Sequence, residues 1–308
     1  MINRVLIRMK VMQIVYSFYQ KEDRSLAVAE KELLFSLDKS YELYHFLLLL
    51  MIELTELQEK RIDTGRNKYL PSAAEKNPNI KFIDNLFISQ LKTNLQFKAY
   101  CASQKISWVN EPEFVKNLLD QILASELYAA YIGNVEVSYE QDRDFWRAVF
   151  KNIIIEDENL LETLENISLY WNDDVEVIGT FVLKTIKQFK AENGNAQPLL
   201  PMFKAQDDKD FAITLFRQSI LKEKEYRAMI DVHTKNWEMD RIAFMDIVIM
   251  QTAMAELLNF PTIPVNVTLN EYIELAKSYS TPKSGIFVNG VLDSLINQLR
   301  SENRIMKN

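Results

Sequence analysis

The chain has 308 residues, of which 48 % are hydrophobic and 26 % charged, the balance of a water-soluble globular protein. With only 6 Gly and 8 Pro it lacks the turns of a β-sandwich or barrel, and its many Leu, Ile, Glu and Lys residues point to helices. A net charge of −7 argues against a generic nucleic-acid coat, and the single cysteine, Cys101, excludes an intramolecular disulfide framework and a cysteine-rich metal site.

In chain order, residues 3–20 read as a first helix, with Val5, Met9, Met12 and Tyr16 as an apolar stripe. Arg4 and Arg8 stand one turn apart and share a face. Residues 1–21 carry Arg4, Arg8, Lys10 and Lys21 and no acid. These cations interrupt any signal-peptide core, and the longest apolar run, FLLLLMI at 46–52, is too short to span a bilayer. A cytoplasmic protein is expected. Helices follow at about 25–39 and 41–62, then a loop or linker rich in Gly, Pro, Asn and Ser at 63–82. Two further helical patterns lie at about 82–104 and 112–131.

An ungapped internal similarity appears at an offset of 66 residues. Asp142, Phe145, Phe150, Trp171 and Asp174 match Asp208, Phe211, Phe216, Trp237 and Asp240. The match reads either as a degenerate helical repeat or as two similar amphipathic helices with aspartate caps. Residues 191–201 link the two copies. The nearly all-apolar run at 241–258 predicts a buried central helix. Thr268 and Glu271 fit a capping box for the next helix, and a last helix opens at Ser284. Gly290 lies inside that helix, where it costs about 1 kcal/mol relative to Ala. A close approach by another helix would explain it.

Chemistry is sparse. His45 and His233 are far apart, with no nucleophile–His–acid signature, P-loop or GxGxxG near them. Neither catalysis nor a cofactor or metal is expected. Two features suit binding. One is the basic face of Arg4, Arg8 and Lys10, interleaved with Tyr16, Phe18 and Tyr19, which also reads as a solvated helix face. The other is PKSG at 282–285, where Lys283 and free backbone N–H groups suit a phosphate, or where Ser284 is simply a cap.

The segment IPVNVTLNEYIELAKSYSTPKSGIFVNGVLDSL, residues 263–295, resembles the C-terminal signature of the NusB family of transcription antitermination factors. Asn270, Glu271, Glu274, Lys277, Phe287, Asn289, Gly290 and Asp293 fall in place, and the helix at 238–258 resembles the one preceding the signature. The resemblance implies an all-α multi-helix bundle, with an N-terminal helical region at 1–135 and a NusB-like domain at 136–308, most firmly matched over 237–300. It implies a non-catalytic factor acting on ribosomal RNA operons. Such a factor binds boxA-type single-stranded RNA with Nus factor E, a small-subunit ribosomal protein, in the elongation complex. By position, Arg4, Arg8, Lys10, Lys283, Ser284 and Phe287 match RNA-contacting sites, and Tyr16 and Glu256 match sites facing the protein partner. The first helix has fewer arginines than is common in the family, so weak RNA binding alone and tighter binding with the partner are expected. Residues 21–207 hold most of the extra length. A helical scaffold that has lost RNA binding is the alternative. A fused ribosomal RNA methyltransferase would need a Rossmann pattern that the chain does not show.

Overall fold

A computed structural model describes residues 1–234 and 242–305. Among these residues the chain is all-helical, the only bridge being an isolated one between Ile2 and Phe203. The helices are α1 (Arg4–Gln20), α2 (Leu26–Arg66), α3 (Ala73–Lys76), α4 (Leu86–Thr93), α5 (Leu95–Gln104), α6 (Pro112–Ala124), α7 (Glu126–Gly133) and α8 (Tyr139–Val149). A π-helical turn at Phe150–Ile154 extends α8. Then come α9 (Glu158–Ile167), α10 (Val175–Gln188), α11 (Gln206–Leu221), α12 (Glu223–His233), α13 (Phe244–Asn259), α14 (Val265–Tyr279) and α15 (Ser284–Ser301). No helix among the described residues is long and apolar enough to cross a membrane.

Backbone packing divides the chain into two compact units, Met1 with Asp38–Met202, and Ile2–Leu37 with Phe203–Asn308. The expected division near residue 135 differs from this, because α8, α9 and α10 pack with the preceding helices.

In the first unit α8 packs on α4 and α10, and α6 packs on α7 and α9. Two indoles anchor it to the α2 backbone. Trp108 Nε1 donates to Phe46 O at 2.9 Å and Trp171 Nε1 to Lys39 O at 2.8 Å. The helices expected at 25–39 and 41–62 are one 41-residue helix. No Gly or Pro interrupts residues 26–64, and buried Ser40 donates to Asp174 at 2.5 Å, so this polar residue does not break the helix. Conversely, the helices expected at 82–104 and 112–131 each split in two. Asn94 ends α4 and caps α5, accepting from Phe97 N at 2.9 Å, and Ser125 does the same for α7, accepting from Tyr128 N at 3.1 Å.

In the second unit α13 is the centre, packed by α1, α11, α12, α14 and α15. Its residues are buried on nearly every side, as the apolar run requires. The capping box expected at Thr268 and Glu271 does not form. The helix α14 already starts at Val265, behind Pro264, and Thr268 lies inside it.

The helix bounds correspond at the 66-residue offset, which fits either reading of the internal similarity. Shifted by 66 residues, Tyr139–Ile154 falls on 205–220, against Gln206–Leu221 of α11, and Glu158–Ile167 falls on 224–233, against Glu223–His233 of α12. The matched aspartates have different partners. Asp142 accepts from the amide of Leu86, the first residue of α4, at 2.7 Å; Asp208 pairs at 3.8 Å with Arg4, the first residue of α1. Trp237 and Asp240 lie outside the described residues.

The expected close approach at Gly290 is absent: a Cβ there would meet nothing within 4 Å. The tight position is Gly285, where a Cβ would stand 2.8 Å from Lys277 Cγ. Gly290→Ala should therefore stabilise the protein, by about 1 kcal/mol through helix propensity. A higher urea midpoint would confirm it, and a lower one would show that α15 needs the glycine.

Candidate functional site

The candidate residues sit in the second unit, on α1, α13 and the start of α15. Helix α1 begins cleanly because the Asn3 side chain accepts from Leu6 N at 2.9 Å. It has apolar residues all round, so most of its length is enclosed, including two of its cations. Arg8 is 3 % exposed and Lys10 2 %. Both were expected to face RNA, and both point away from solvent instead.

Arg8 has a specific reason to be inside. Its Nε donates to Glu256 Oε2 at 2.7 Å and its NH2 to Glu256 Oε1 at 2.8 Å, a two-pronged charge-assisted pair. Glu271 stands 3.5 Å from Arg8 NH1. Thr268 Oγ1 donates to Glu256 Oε1 at 2.8 Å, and Tyr272 OH donates to Oε2 at 3.2 Å. Burial favours neutral Arg8, but the hydrogen bonds and charge of Glu256 outweigh it and raise its pKa. Burial and then the Glu256 charge push the Tyr272 phenol well above its ordinary value. Glu256 is fully buried by this network, so it does not face a protein partner as expected.

At the start of α15, Ser284 is buried and Lys283 exposed. Ser284 is not a cap. Its hydroxyl donates to Asp246 Oδ2 at 2.9 Å and accepts from Thr281 N at 3.1 Å. This ties the PKSG loop to the first turn of α13. Phe287 is also buried, so its ring is not available for base stacking. Arg4 keeps 41 % of its side chain exposed, with its guanidinium 5.0 Å from the Phe211 ring centroid. Tyr16 is half-buried, 5.6 Å from Phe244 between ring centroids. Phe18 and Tyr19, the other aromatics of α1, are buried. Tyr19 accepts from Gln251 Nε2 at 2.7 Å, and burial pushes its phenol up to about 12.

The structure thus brings Arg8 and Glu256 together and leaves Arg4, Lys283 and, in part, Tyr16 at the surface. Sequence reasoning missed Asp246, Thr268 and Tyr272 as parts of this framework. The available signal was the isolation of Asp246 and Glu256 in an otherwise apolar run, since a buried acid needs a partner. Among the described residues no group of three His, Cys, Asp or Glu side chains is placed to hold a metal ion.

The NusB family model matches residues 180–297, from within α10 almost to the end of α15. A transcription antitermination protein NusB from Salinibacter ruber is 38 % identical over 132 residues, covering 41 % of this chain and 82 % of the relative. The chain belongs to the NusB family. The NusB protein of Koribacter versatilis is 37 % identical over 99 residues, covering 32 % of this chain and 68 % of its own length. That of Chloroherpeton thalassium is 39 % identical over 99 residues, covering 32 % and 47 %. No solved structure matches the chain. The NusB model lies mostly within the second unit, and most of the first unit precedes it.

Proposed function

We propose that this protein is a non-catalytic transcription antitermination factor. It binds boxA-type single-stranded RNA together with Nus factor E, the small-subunit ribosomal protein, and acts in the elongation complex on ribosomal RNA operons. The observation that carries this reading is the extent of the likeness, 82 % of the Salinibacter ruber antitermination protein at 38 % identity. The geometry supports a narrower RNA contact than the sequence suggests. Arg4 and Lys283 are the candidate cations that reach solvent. Lys283 stands at the start of α15, where free backbone N–H groups favour an anion. Arg8 and Lys10 support the helix that presents Arg4. Tyr16 is the candidate that remains for the protein partner.

Arg4→Glu with Lys283→Glu should weaken RNA binding and flatten its salt dependence by about 0.7 in slope for each phosphate contact removed. Fluorescence anisotropy of a labelled boxA RNA at several salt concentrations, with and without the ribosomal protein, measures both. Unchanged affinity and slope in the double variant would rule out this surface. A protein-binding scaffold without RNA contact is the second reading, favoured by the burial of Arg8 and Lys10. It requires that the ribosomal protein be captured while RNA is not.

A further inference from the structure

We infer that the first unit carries a second contact for single-stranded RNA, at the cleft between the end of α2 and the segment containing α3. The inference rests on the RNA-binding reading above and extends it to a surface outside the NusB match.

Three observations meet there. First, residues 60–81 hold six Lys or Arg against two acids, in a chain whose net charge is −7. Arg61 is tied to Asp120 and Lys68 to Glu75. Arg66 and Lys76 are exposed and enter no ion pair among the described residues, whereas Lys60 acts on the Glu53 carboxyl. Concentrated, unneutralised positive charge on an acidic protein suits a polyanion.

Second, a cleft of about 630 Å3 opens beside these cations, with Leu57, Ile62 and Pro78 among its lining and Lys60, Arg61 and Lys68 around it. Gln58 also lines it, and its Oε1 is buried with no hydrogen-bond partner among the described residues. A buried, unanswered amide oxygen is unfavourable unless something donates to it. The exocyclic amine or ring N–H of an unstacked base supplies that donor, and the apolar lining takes its flat face.

Third, the loop beyond α2 presents Tyr69 at 97 % exposure and Leu70 at 83 %. An aromatic ring held in solvent beside free cations is a stacking platform for a base. Together these features supply phosphate contacts, a base slot and a stacking ring, the parts that an unpaired strand needs. A duplex would not offer the base edge to Gln58.

The test uses the full chain and a 4-thiouridine-labelled single-stranded RNA containing boxA and extended on both sides, so that one strand is long enough for both surfaces. After photocrosslinking, peptides are mapped, and affinity is measured for Gln58→Leu and for Arg66→Glu with Lys76→Glu. Crosslinks within residues 57–78 are expected, with about five- to tenfold weaker binding in each variant. Gln58→Leu should leave the urea midpoint unchanged or raise it, since it removes an unsatisfied group. A purely structural glutamine would lower the midpoint and leave affinity alone, overturning the assignment of Gln58. Crosslinks confined to α1 and the start of α15, with both variants binding normally, would overturn the inference and leave the antitermination reading standing. Crosslinks confined to 57–78 would support the inference and overturn the Arg4–Lys283 surface. No RNA binding by the full chain overturns both. So does retention on phosphatidylserine vesicles that the double variant abolishes while RNA crosslinks nothing.

Discussion

Glu256→Ala is expected to destabilise the protein by about 3–5 kcal/mol, the range for removing one partner of a buried ion pair. The arithmetic is unfavourable because three groups lose their acceptor at once. Arg8 is left charged at 3 % exposure, and the hydroxyls of Thr268 and Tyr272 lose the bonds they donate. Against a typical stability of about 5–15 kcal/mol this is a large fraction. Urea unfolding followed by circular dichroism measures it. The companion variant separates charge from packing. Arg8→Met with Glu256→Leu removes both charges and should recover much of the loss, because a matched apolar pair avoids the desolvation penalty. A double variant as unstable as Glu256→Ala would show that shape, not charge compensation, holds α1 to α13. The same pair makes Arg8→Glu a poor probe of RNA contact, since it would set two carboxylates face to face and read out as unfolding.

The second large effect is acid sensitivity at His45. The ring stacks on Tyr100 at 3.7 Å between centroids, its Nδ1 lies 2.9 Å from Tyr41 O, and burial holds its pKa down at about 4. In the unfolded chain the ordinary value is about 6.5. Between those values the unfolded state binds a proton that the folded state does not, so stability falls as pH drops from about 6.5 to about 4. The full difference is on the order of 3 kcal/mol. Comparing wild type with His45→Phe cancels the carboxylates that titrate in the same range. Wild type should lose stability relative to the variant between about pH 7 and pH 4.5. Parallel curves would mean that His45 is protonated without penalty.

The all-α fold and the central place of α13 were legible because both follow from composition and long-range periodicity. Helix boundaries were less so, for a local reason. Asn94 and Ser125 look like ordinary polar positions of a continuous pattern, and only their side-chain bonds to Phe97 N and Tyr128 N reveal two starts. Ser40 misled in the other direction, because its partner Asp174 lies 134 residues away. The candidate residues could be named from the sequence, but not which of them reach the surface. Sequence puts Arg4 and Arg8 on one face, but Arg8 is buried because Glu256 lies within reach across 248 residues. The internal similarity was the reverse case, with few identities yet corresponding helix bounds at the 66-residue offset.

The discontinuity of the second unit has a consequence in time. Helix α1 packs on α11 and α13, whose sequences begin only at Gln206 and Phe244. At about 5–20 residues per second, a ribosome needs roughly 10–40 s to reach them. For that interval α1 is made but unmated, with Ile7, Val11, Met12 and Val15 lacking the helices they pack on and the Arg8 guanidinium lacking its acid. The segment Asp38–Met202, by contrast, has nearly its whole unit in hand when Met202 emerges. Birth order therefore favours a nascent chain in which Asp38–Met202 folds before α1 is closed in. The exposed apolar flank of that waiting helix is the part of the nascent chain most open to wrong contacts during synthesis.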